Sequence, residues 1–147
     1  MYLKLLDGKP SKFPYNLGEL RKEHPEISLP TNPSADVLAA FNVYPVQATA
    51  RPAFDNKTHR LRQSAEYLGT TWQQVWTTEQ LPESQAAANV RNYRNELLSA
   101  CDWTQLIDSP LDADAKLAWQ LYRETLRMVP QQPGFPWNVT WPSVPGS

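Results

Sequence analysis

The side chains that could do acid–base or nucleophilic chemistry are few in this chain. It has two histidines, His24 and His59, and one cysteine, Cys101. The sequence contains neither a His-x-x-x-His nor a Cys-x-x-Cys spacing, and it lacks a glycine-rich loop that could cradle a phosphate. Because catalysis requires such groups to converge, the sequence predicts a protein that is not an enzyme, with no catalytic residue, metal ligand or cofactor.

Cys101 and two aspartates that follow it need a separate interpretation. Cys101 falls on the apolar side of a predicted helix, which favours a small buried hydrophobic residue over a nucleophile. Asp102 and Asp108 flank the next turn. Paired carboxylates can do acid–base work or bind a cation, but aspartates in turns more commonly accept hydrogen bonds from free backbone amides. We therefore expect structural roles for all three residues.

Charge and composition exclude several classes of partner. The 14 basic residues nearly balance the 15 acidic ones, so no single-sign field would hold nucleic acid or an anionic membrane. The single cysteine allows no intrachain disulfide. Met1–Asp7 is too short and too soon charged for a signal peptide, and no stretch approaches the ~18 apolar residues of a membrane-spanning helix. The sequence thus predicts a cytoplasmic protein that binds neither nucleic acid nor membrane.

Short strand and helix signals alternate in the N-terminal half. Met1–Asp7 predicts a short edge strand, and Val43–Ala48 predicts an edge strand or an extended connection because it contains a proline. Asn16 and Ser34 are expected to cap two short helices. Two segments with period-two alternation, joined around Leu68–Thr70, predict an antiparallel hairpin.

Two longer helices are predicted in the C-terminal half. Pro82 suits the first position of one helix, and Asp112 suits the N-cap of the other. Apolar residues recur at three- and four-residue steps in both, which favours an antiparallel helical hairpin. The expected core stripes are Ala86, Val90, Tyr93, Leu97 and Cys101, and then Ala115, Ala118, Trp119, Tyr122, Leu126 and Val129. Arginines interleaved with acidic residues predict a solvated, salt-bridged face: Arg91, Arg94, Arg123 and Arg127.

Prolines interrupt every possible helical turn after Pro130. This pattern predicts a polyproline-like extended arm that either folds back over the helices or holds a partner. Trp137 and Trp141 lie in the arm outside any periodic pattern, and tryptophan is a common interface anchor. We therefore predict partner binding by Trp137 and Trp141, with Phe135 as a third candidate. Trp103, Trp119, Tyr122 and Phe135 could form a binding surface, but a two-helix unit needs such large side chains to fill its core, so the sequence favours the core for these four.

These patterns together predict an α+β fold in two parts. Residues 1–80 would form a small sheet with short helices, and residues 81–147 would form the helical hairpin followed by the proline-rich extended arm. A chain of 147 residues is long enough for one ordinary core or two small ones.

A dense set of short motifs lies between Arg91 and Pro142. The motifs are Cys101-Asp102-Trp103-Thr104-Gln105-Leu106, Pro110-Leu111, Ala118-Trp119, Tyr122-Arg123, Gly134-Phe135-Pro136 and Trp141-Pro142. Their order and spacing resemble the C-terminal module of phage tail assembly chaperones, a family also described as tail-fibre assembly proteins. The N-terminal half is similar to leaders found on such phage proteins, in Asn16-Leu17-Gly18-Glu19-Leu20-Arg21 and Val43-Tyr44-Pro45-Val46.

The resemblance implies a function that the residues alone do not indicate. Tail-fibre assembly chaperones bind the distal, β-rich region of a trimeric fibre and help it to reach its folded trimer. The chain would then act in the host cytoplasm during assembly, with a tail fibre or other tail protein as its partner, and in some phages would stay on the virion tail. The resemblance sets no oligomeric state.

Two alternatives remain beside the chaperone hypothesis. The chain could be a permanent structural component of the phage tail or of the fibre attachment, in which the extended arm would staple a neighbouring subunit. It could also be an enzyme that acts on a host surface glycan, but no carboxylate pair with a supporting context argues for that activity.

Overall fold

The computed structural model describes residues 1–146 and has the predicted α+β class, with a five-stranded sheet and four α-helices. The chain divides into two compact units. The first unit contains Met1–Phe54 and Leu61–Glu79, and the second contains Asp55–Arg60 and the chain from Gln80 onward. Among residues 1–146, none of the helices combines the length and the apolar character needed to cross a bilayer.

One sheet collects all the strands that the structure describes. The strands are β1 (Tyr2–Leu6), β2 (Lys9–Tyr15), β3 (Val43–Gln47), β4 (His59–Tyr67) and β5 (Trp72–Gln80). Their order across the sheet is β2-β1-β3-β5-β4. β1 pairs antiparallel with β2 and β3, whereas β3 pairs in parallel with β5. The predicted N-terminal strand is therefore the second strand of the sheet and not an edge.

Two strands contain prolines, and both differ from the prediction. β2 carries Pro10 and Pro14 and has no counterpart among the predicted elements, but it is an edge strand, where proline is tolerated because one side of the strand has no neighbour to pair with. β3 is a central strand and not the predicted edge strand or connection. Val46 N donates to Met1 O at 3.0 Å, so the Pro45 nitrogen faces β5, and pairing with β5 begins only at Val46. The sheet therefore loses no hydrogen bond at Pro45.

The helices α1 (Leu17–Glu23) and α2 (Ala35–Ala39) begin at the two predicted N-caps. Asn16 Oδ1 accepts a hydrogen bond from Glu19 N, and the Glu19 carboxylate accepts one from Asn16 N, both at 3.0 Å, which completes a capping box. The Ser34 hydroxyl caps α2 by accepting a hydrogen bond from Val37 N at 3.4 Å. Both helices pack on the sheet through one buried apolar cluster: Tyr15, Leu20, Leu38 and Val43.

β4 and β5 form the predicted hairpin. Leu68 N donates to Thr71 O at 2.9 Å across the turn. Gly69 has a φ of 76°, a left-handed conformation in which a side chain would be strained. Ala65 of β4 is buried against Leu3 of β1, so the hairpin is held by side-chain packing as well as by backbone pairing.

The second unit is built on α3 (Glu83–Ala100) and α4 (Ala113–Met128). Pro82 lies immediately before α3, and the Asp112 side chain caps α4 by accepting a hydrogen bond from Ala115 N at 2.8 Å. Residues of both predicted stripes form its buried cluster, Cys101, Tyr122 and Leu126, with Leu97, Leu98, Trp119 and Trp141 packed against it.

The segments that follow α3 and α4 differ from the predicted turn and extended arm. A short 3-10 helix at Asp102–Gln105 follows α3, and another at Val129–Gln131 follows α4. Residues 133–137 then form consecutive turns, so the predicted extended arm is not confirmed. The antiparallel geometry of the two long helices stays a prediction.

Candidate functional site

The C-terminal loop, defined here as residues 132–141, is closed by hydrogen bonds between its ends. Gln132 Nε2 donates to Thr140 O at 2.9 Å, and Thr140 N donates to Gln132 Oε1 at 2.8 Å. Inside the loop, Asn138 N donates to Gly134 O at 2.6 Å. A Cβ at Gly134 would lie 2.6 Å from the Asn138 Cβ, so this close approach requires glycine. The loop therefore has a defined shape of its own.

Two of the predicted partner-binding residues, Phe135 and Trp137, are half-buried in this loop. The guanidinium carbon of Arg91, on α3, lies 4.9 Å from the centroid of the Phe135 ring, a cation–π contact. The Trp137 ring meets the His59 ring edge to face, with 6.2 Å between centroids. Both aromatic rings are therefore held in one orientation by residues from other segments of the second unit.

The third predicted residue, Trp141, is also half-buried and has a structural role. Its ring contacts the Tyr93 ring edge to face at 4.9 Å, and it packs against the buried cluster around Tyr122 and Leu126. Truncation of Trp141 would therefore disturb the core as well as the surface. Trp137 is the better residue for testing binding alone.

Trp103 is 46% exposed, so its predicted place in the core is wrong. It lies in the 3-10 helix beyond α3, where the helical stripe has ended, and its ring lies 6.1 Å from the Trp119 ring. Ile107, in the connection that follows, is fully exposed. A second apolar row on α4 also faces outward, and its four- and seven-residue steps are visible in the sequence: Leu117, Leu121 and Met128.

Arg123 is buried, so its predicted place on a solvated helix face is wrong. Its Nη1 donates to Leu98 O at 2.8 Å, and its Nη2 donates to Asp102 Oδ1 at 2.7 Å. Burial acts to lower the pKa of this guanidinium, but the hydrogen bonds that it donates to Asp102 and to the Cys101 sulfur raise the pKa above its ordinary value. Asp102 thus has a structural role, as predicted, but pairs with a side chain. Cys101 is buried, as predicted.

A polar cleft lies on α3 beside the segment Asp55–Arg60 of the same unit. It has a volume of about 540 Å³ and is lined by Asn56, Lys57, Asn89, Asn92, Tyr93 and Glu96. We call it the asparagine cleft. Asn89 Nδ2 donates to Lys57 O at 3.0 Å, and Lys57 Nζ lies 4.3 Å from the centroid of the Tyr93 ring. These contacts fix the two walls of the cleft to each other. No pattern in the sequence marks its polar residues as a site.

Ionisable groups of the first unit form a surface network. The Glu23 carboxylate accepts hydrogen bonds from Lys4 Nζ and, at 2.8 Å, from Tyr15 Oη. The bond from Lys4, followed by that from Tyr15, lowers the pKa of Glu23 below its ordinary value. Burial, and then the Glu23 hydrogen bond, raises the pKa of Tyr15. The network joins β1 and β2 to α1. Among residues 1–146, no group of three His, Cys, Asp or Glu side chains is placed to hold a metal ion.

Comparison with known families identifies the C-terminal part of the chain. Residues 87–146 match the family model of phage tail assembly chaperone proteins. This segment belongs to that family. The match includes α4, most of α3 and the whole C-terminal loop, but it covers less than half of the chain. No curated protein and no solved structure gave a significant match to the chain.

The chaperone segment contains all three predicted partner-binding residues and most of the asparagine cleft. Asn89, Asn92, Tyr93 and Glu96 lie inside the match, whereas the wall formed by the segment Asp55–Arg60 lies outside it. The family indicates a role in phage tail assembly, which depends on contacts with tail proteins. It also indicates a non-enzymatic role.

Proposed function

We propose that this protein is a chaperone that binds the distal part of a trimeric tail fibre and assists its folding or assembly in the host cytoplasm. The observation that supports this proposal most directly is the chaperone match over residues 87–146. A trimeric fibre is a long, non-local β-structure, and its slow assembly leaves strand edges and apolar surface exposed. A holding partner would cover those surfaces until the trimer forms.

The C-terminal loop is the proposed fibre-binding element, through Phe135, Trp137 and Trp141. The hydrogen bonds between the Gln132 side chain and the Thr140 backbone, and the contacts of the rings with α3 and His59, set the shape of the loop before binding. Half-exposed aromatic rings held in this way lose little conformational entropy on docking, so more of their contact energy contributes to affinity.

Exposed apolar residues of the same unit support a holding role. Leu117, Leu121 and Met128 face outward on α4. Large apolar side chains of this kind are commonly found at protein interaction sites. We also propose that residues 81–147 act as the chaperone-type module, with Asp55–Arg60 packed in the same unit, and that the rest of residues 1–80 forms a separate α+β module. The two long helices would pack as an antiparallel hairpin.

The alternative, a permanent structural component of the tail, depended on an extended arm that would staple a neighbouring subunit. Residues 133–137 form turns, so this support for the alternative is weaker. Mass spectrometry of purified particles separates the two functions. A structural subunit occurs in particles at a fixed ratio to the fibre, whereas a chaperone changes the yield of soluble fibre trimer even where particles lack it.

Co-expression with the tail-fibre protein of the same phage tests the proposed site. We expect the wild-type chain to raise the yield of soluble trimer and to be pulled down by the fibre. Trp137→Ala should weaken binding by about 30-fold, because truncation of an interface anchor costs about 2 kcal/mol.

Trp103→Ala is the matched control, since Trp103 is also a partly exposed tryptophan of the second unit but lies outside the C-terminal loop. It should leave binding within about threefold of wild type. Circular dichroism must show that both variants are folded. If Trp103→Ala abolishes binding and Trp137→Ala does not, the fibre-binding element is the connection between the helices. If no fibre is bound by the wild type, the proposed function is wrong.

A further inference from the structure

Two amide side chains that line the asparagine cleft have no hydrogen-bond partner among the residues that the structure describes. Within residues 1–146, the side-chain amides of Asn56 and Asn92 make no hydrogen bond, and both residues are exposed. Asn89 Nδ2 donates a hydrogen bond to Lys57 O, so Asn89 joins the two walls of the cleft. The cleft therefore presents free amide donors and acceptors on a rigid base.

The chemistry of an asparagine side chain matches that of a peptide group. Its carbonyl oxygen accepts a hydrogen bond and its NH₂ donates, so it can pair with both the N–H and the C=O of one residue in an extended chain, where these two groups point to the same side. A strand that has not yet found its neighbour in a sheet has these backbone groups free along its length. The amides of the cleft can therefore replace the missing neighbouring strand.

The spacing of the cleft residues along α3 suits an extended chain. Asn89, Asn92 and Glu96 lie three and four residues apart, on one side of the helix, so they span ~10 Å along its axis at 1.5 Å per residue. Residues whose N–H and C=O face the same side of a strand repeat every ~6.7 Å. Two such groups fit along this wall of the cleft.

The charges of the cleft argue against a charged ligand. Lys57 lies on one wall and Glu96 on the other, and the Lys57 ammonium also lies 3.6 Å from the Asp55 carboxylate. The opposed charges leave no single-sign field that would select a phosphate or an acidic glycan. The Tyr93 ring, covered by Lys57, supplies an apolar surface between the polar groups.

We propose that the asparagine cleft binds the main chain of an extended segment of the client fibre, through amide-to-backbone hydrogen bonds that do not depend on the client's side chains. This inference rests on the proposed function, since the client is a folding fibre. It adds a recognition site distinct from the aromatic rings of the C-terminal loop. A main-chain site would let one chaperone hold different strands of a β-rich client in turn.

Binding of synthetic 12-residue peptides, copied from consecutive segments of the fibre's distal region, tests the inference. For the tightest of these peptides, we compare the original, a scrambled version and a version with alternate backbone nitrogens methylated. The scrambled peptide should bind within about threefold of the original. The methylated peptide should bind at least tenfold more weakly, because each methyl group removes a backbone donor.

A variant and its matched control separate the cleft from the rest of α3. Asn92→Leu keeps the size of the side chain but removes the amide, and should weaken peptide binding by about tenfold. Asn95→Leu makes the same change on the same helix at an exposed position outside the cleft, and should have little effect. Equal affinity of Asn92→Leu and Asn95→Leu, or strong binding of the methylated peptide, would overturn the inference.

The outcomes also distinguish failure of the inference from failure of the proposed function. If the fibre binds the wild type and Trp137→Ala weakens it, but neither Asn92→Leu nor methylation has an effect, only the main-chain site is wrong. If scrambling abolishes peptide binding while Asn92→Leu weakens it, the cleft reads side chains and the main-chain inference is wrong. If neither the fibre nor any of the peptides binds, both proposals are wrong.

Discussion

Replacement of Arg123 by methionine is the sharpest test of the second unit's architecture. The Arg123 side chain is only 9% exposed, and it joins α4 to the C-terminal end of α3 through Leu98 O and to the Asp102 carboxylate. Methionine has a similar length and can fill the same space without its charge. The Arg123→Met variant therefore removes the hydrogen bonds while it keeps most of the packing.

The expected loss of stability follows from the exposure and the other partners of each acceptor. Asp102 is 64% exposed, so its ion pair with Arg123 is screened by water and contributes at most ~1 kcal/mol. Leu98 O also accepts a hydrogen bond from Cys101 N at 3.2 Å, so it is not left without a partner, and the bond from Arg123 contributes ~1 to 1.5 kcal/mol. Burial of the methionine side chain offsets a few tenths of a kcal/mol of this loss. We expect a net loss of about 2 kcal/mol.

Urea unfolding monitored by tryptophan fluorescence measures this loss, because Trp103, Trp119 and Trp141 all lie in the second unit. Arg127→Met is the control, since Arg127 lies four residues further along α4 and is exposed; it should change stability by less than about 0.5 kcal/mol. In thermal unfolding, Arg123→Met should lower Tm by about 4–8 °C. Equal stability of the two variants would refute a buried, bridging role for Arg123.

Two further predictions concern the first unit and the C-terminal loop. The Lys4 hydrogen bond lowers the pKa of Glu23 below its ordinary 4.5. The ionised Glu23 carboxylate therefore contributes its full stabilisation to the folded state above pH 4.5, and this contribution is lost as the pH falls through the folded-state pKa. The stability difference between wild type and Glu23→Gln should therefore be largest near pH 7 and narrow below pH 4.5, and a difference that is independent of pH would contradict this. Gly134→Ala should destabilise the loop by about 1–3 kcal/mol, because the new Cβ would collide with Asn138. The control Ser143→Ala, at an exposed position, should leave Tm unchanged. Equal Tm values for the two variants would show that the loop has room for a side chain.

Features that depend on local chemistry could be predicted from the sequence. A capping side chain acts within one turn of its own helix, so Asn16, Ser34 and Asp112 were found from their neighbours alone. Gly69 likewise marks a turn whatever surrounds it. The family motifs of the C-terminal half are also local, and the match over residues 87–146 agrees with them.

The features that were missed depend on contacts between distant parts of the chain. The cost of Pro45 in a strand depends on which neighbour its nitrogen faces, and this is set by the position of β1. The interleaved charges on the long helices gave no indication that Arg123 would turn inward to Leu98 and Asp102. The Trp137 ring is half-buried because it meets His59, which comes from a segment far away in sequence.

Because Asp55–Arg60 belongs to the second unit, that unit is built from two separate stretches of the chain. The chain crosses between the two units three times, so no single cut yields a complete second unit. A fragment that starts at Leu81 would lose Thr58 O, to which Leu81 N donates at 2.9 Å, and also Lys57 O and the His59 ring. The stretch that the family shares is therefore shorter than the structure that it needs. A gene fusion that moved residues 87–146 to a new N-terminal partner would have to supply a replacement for these six residues.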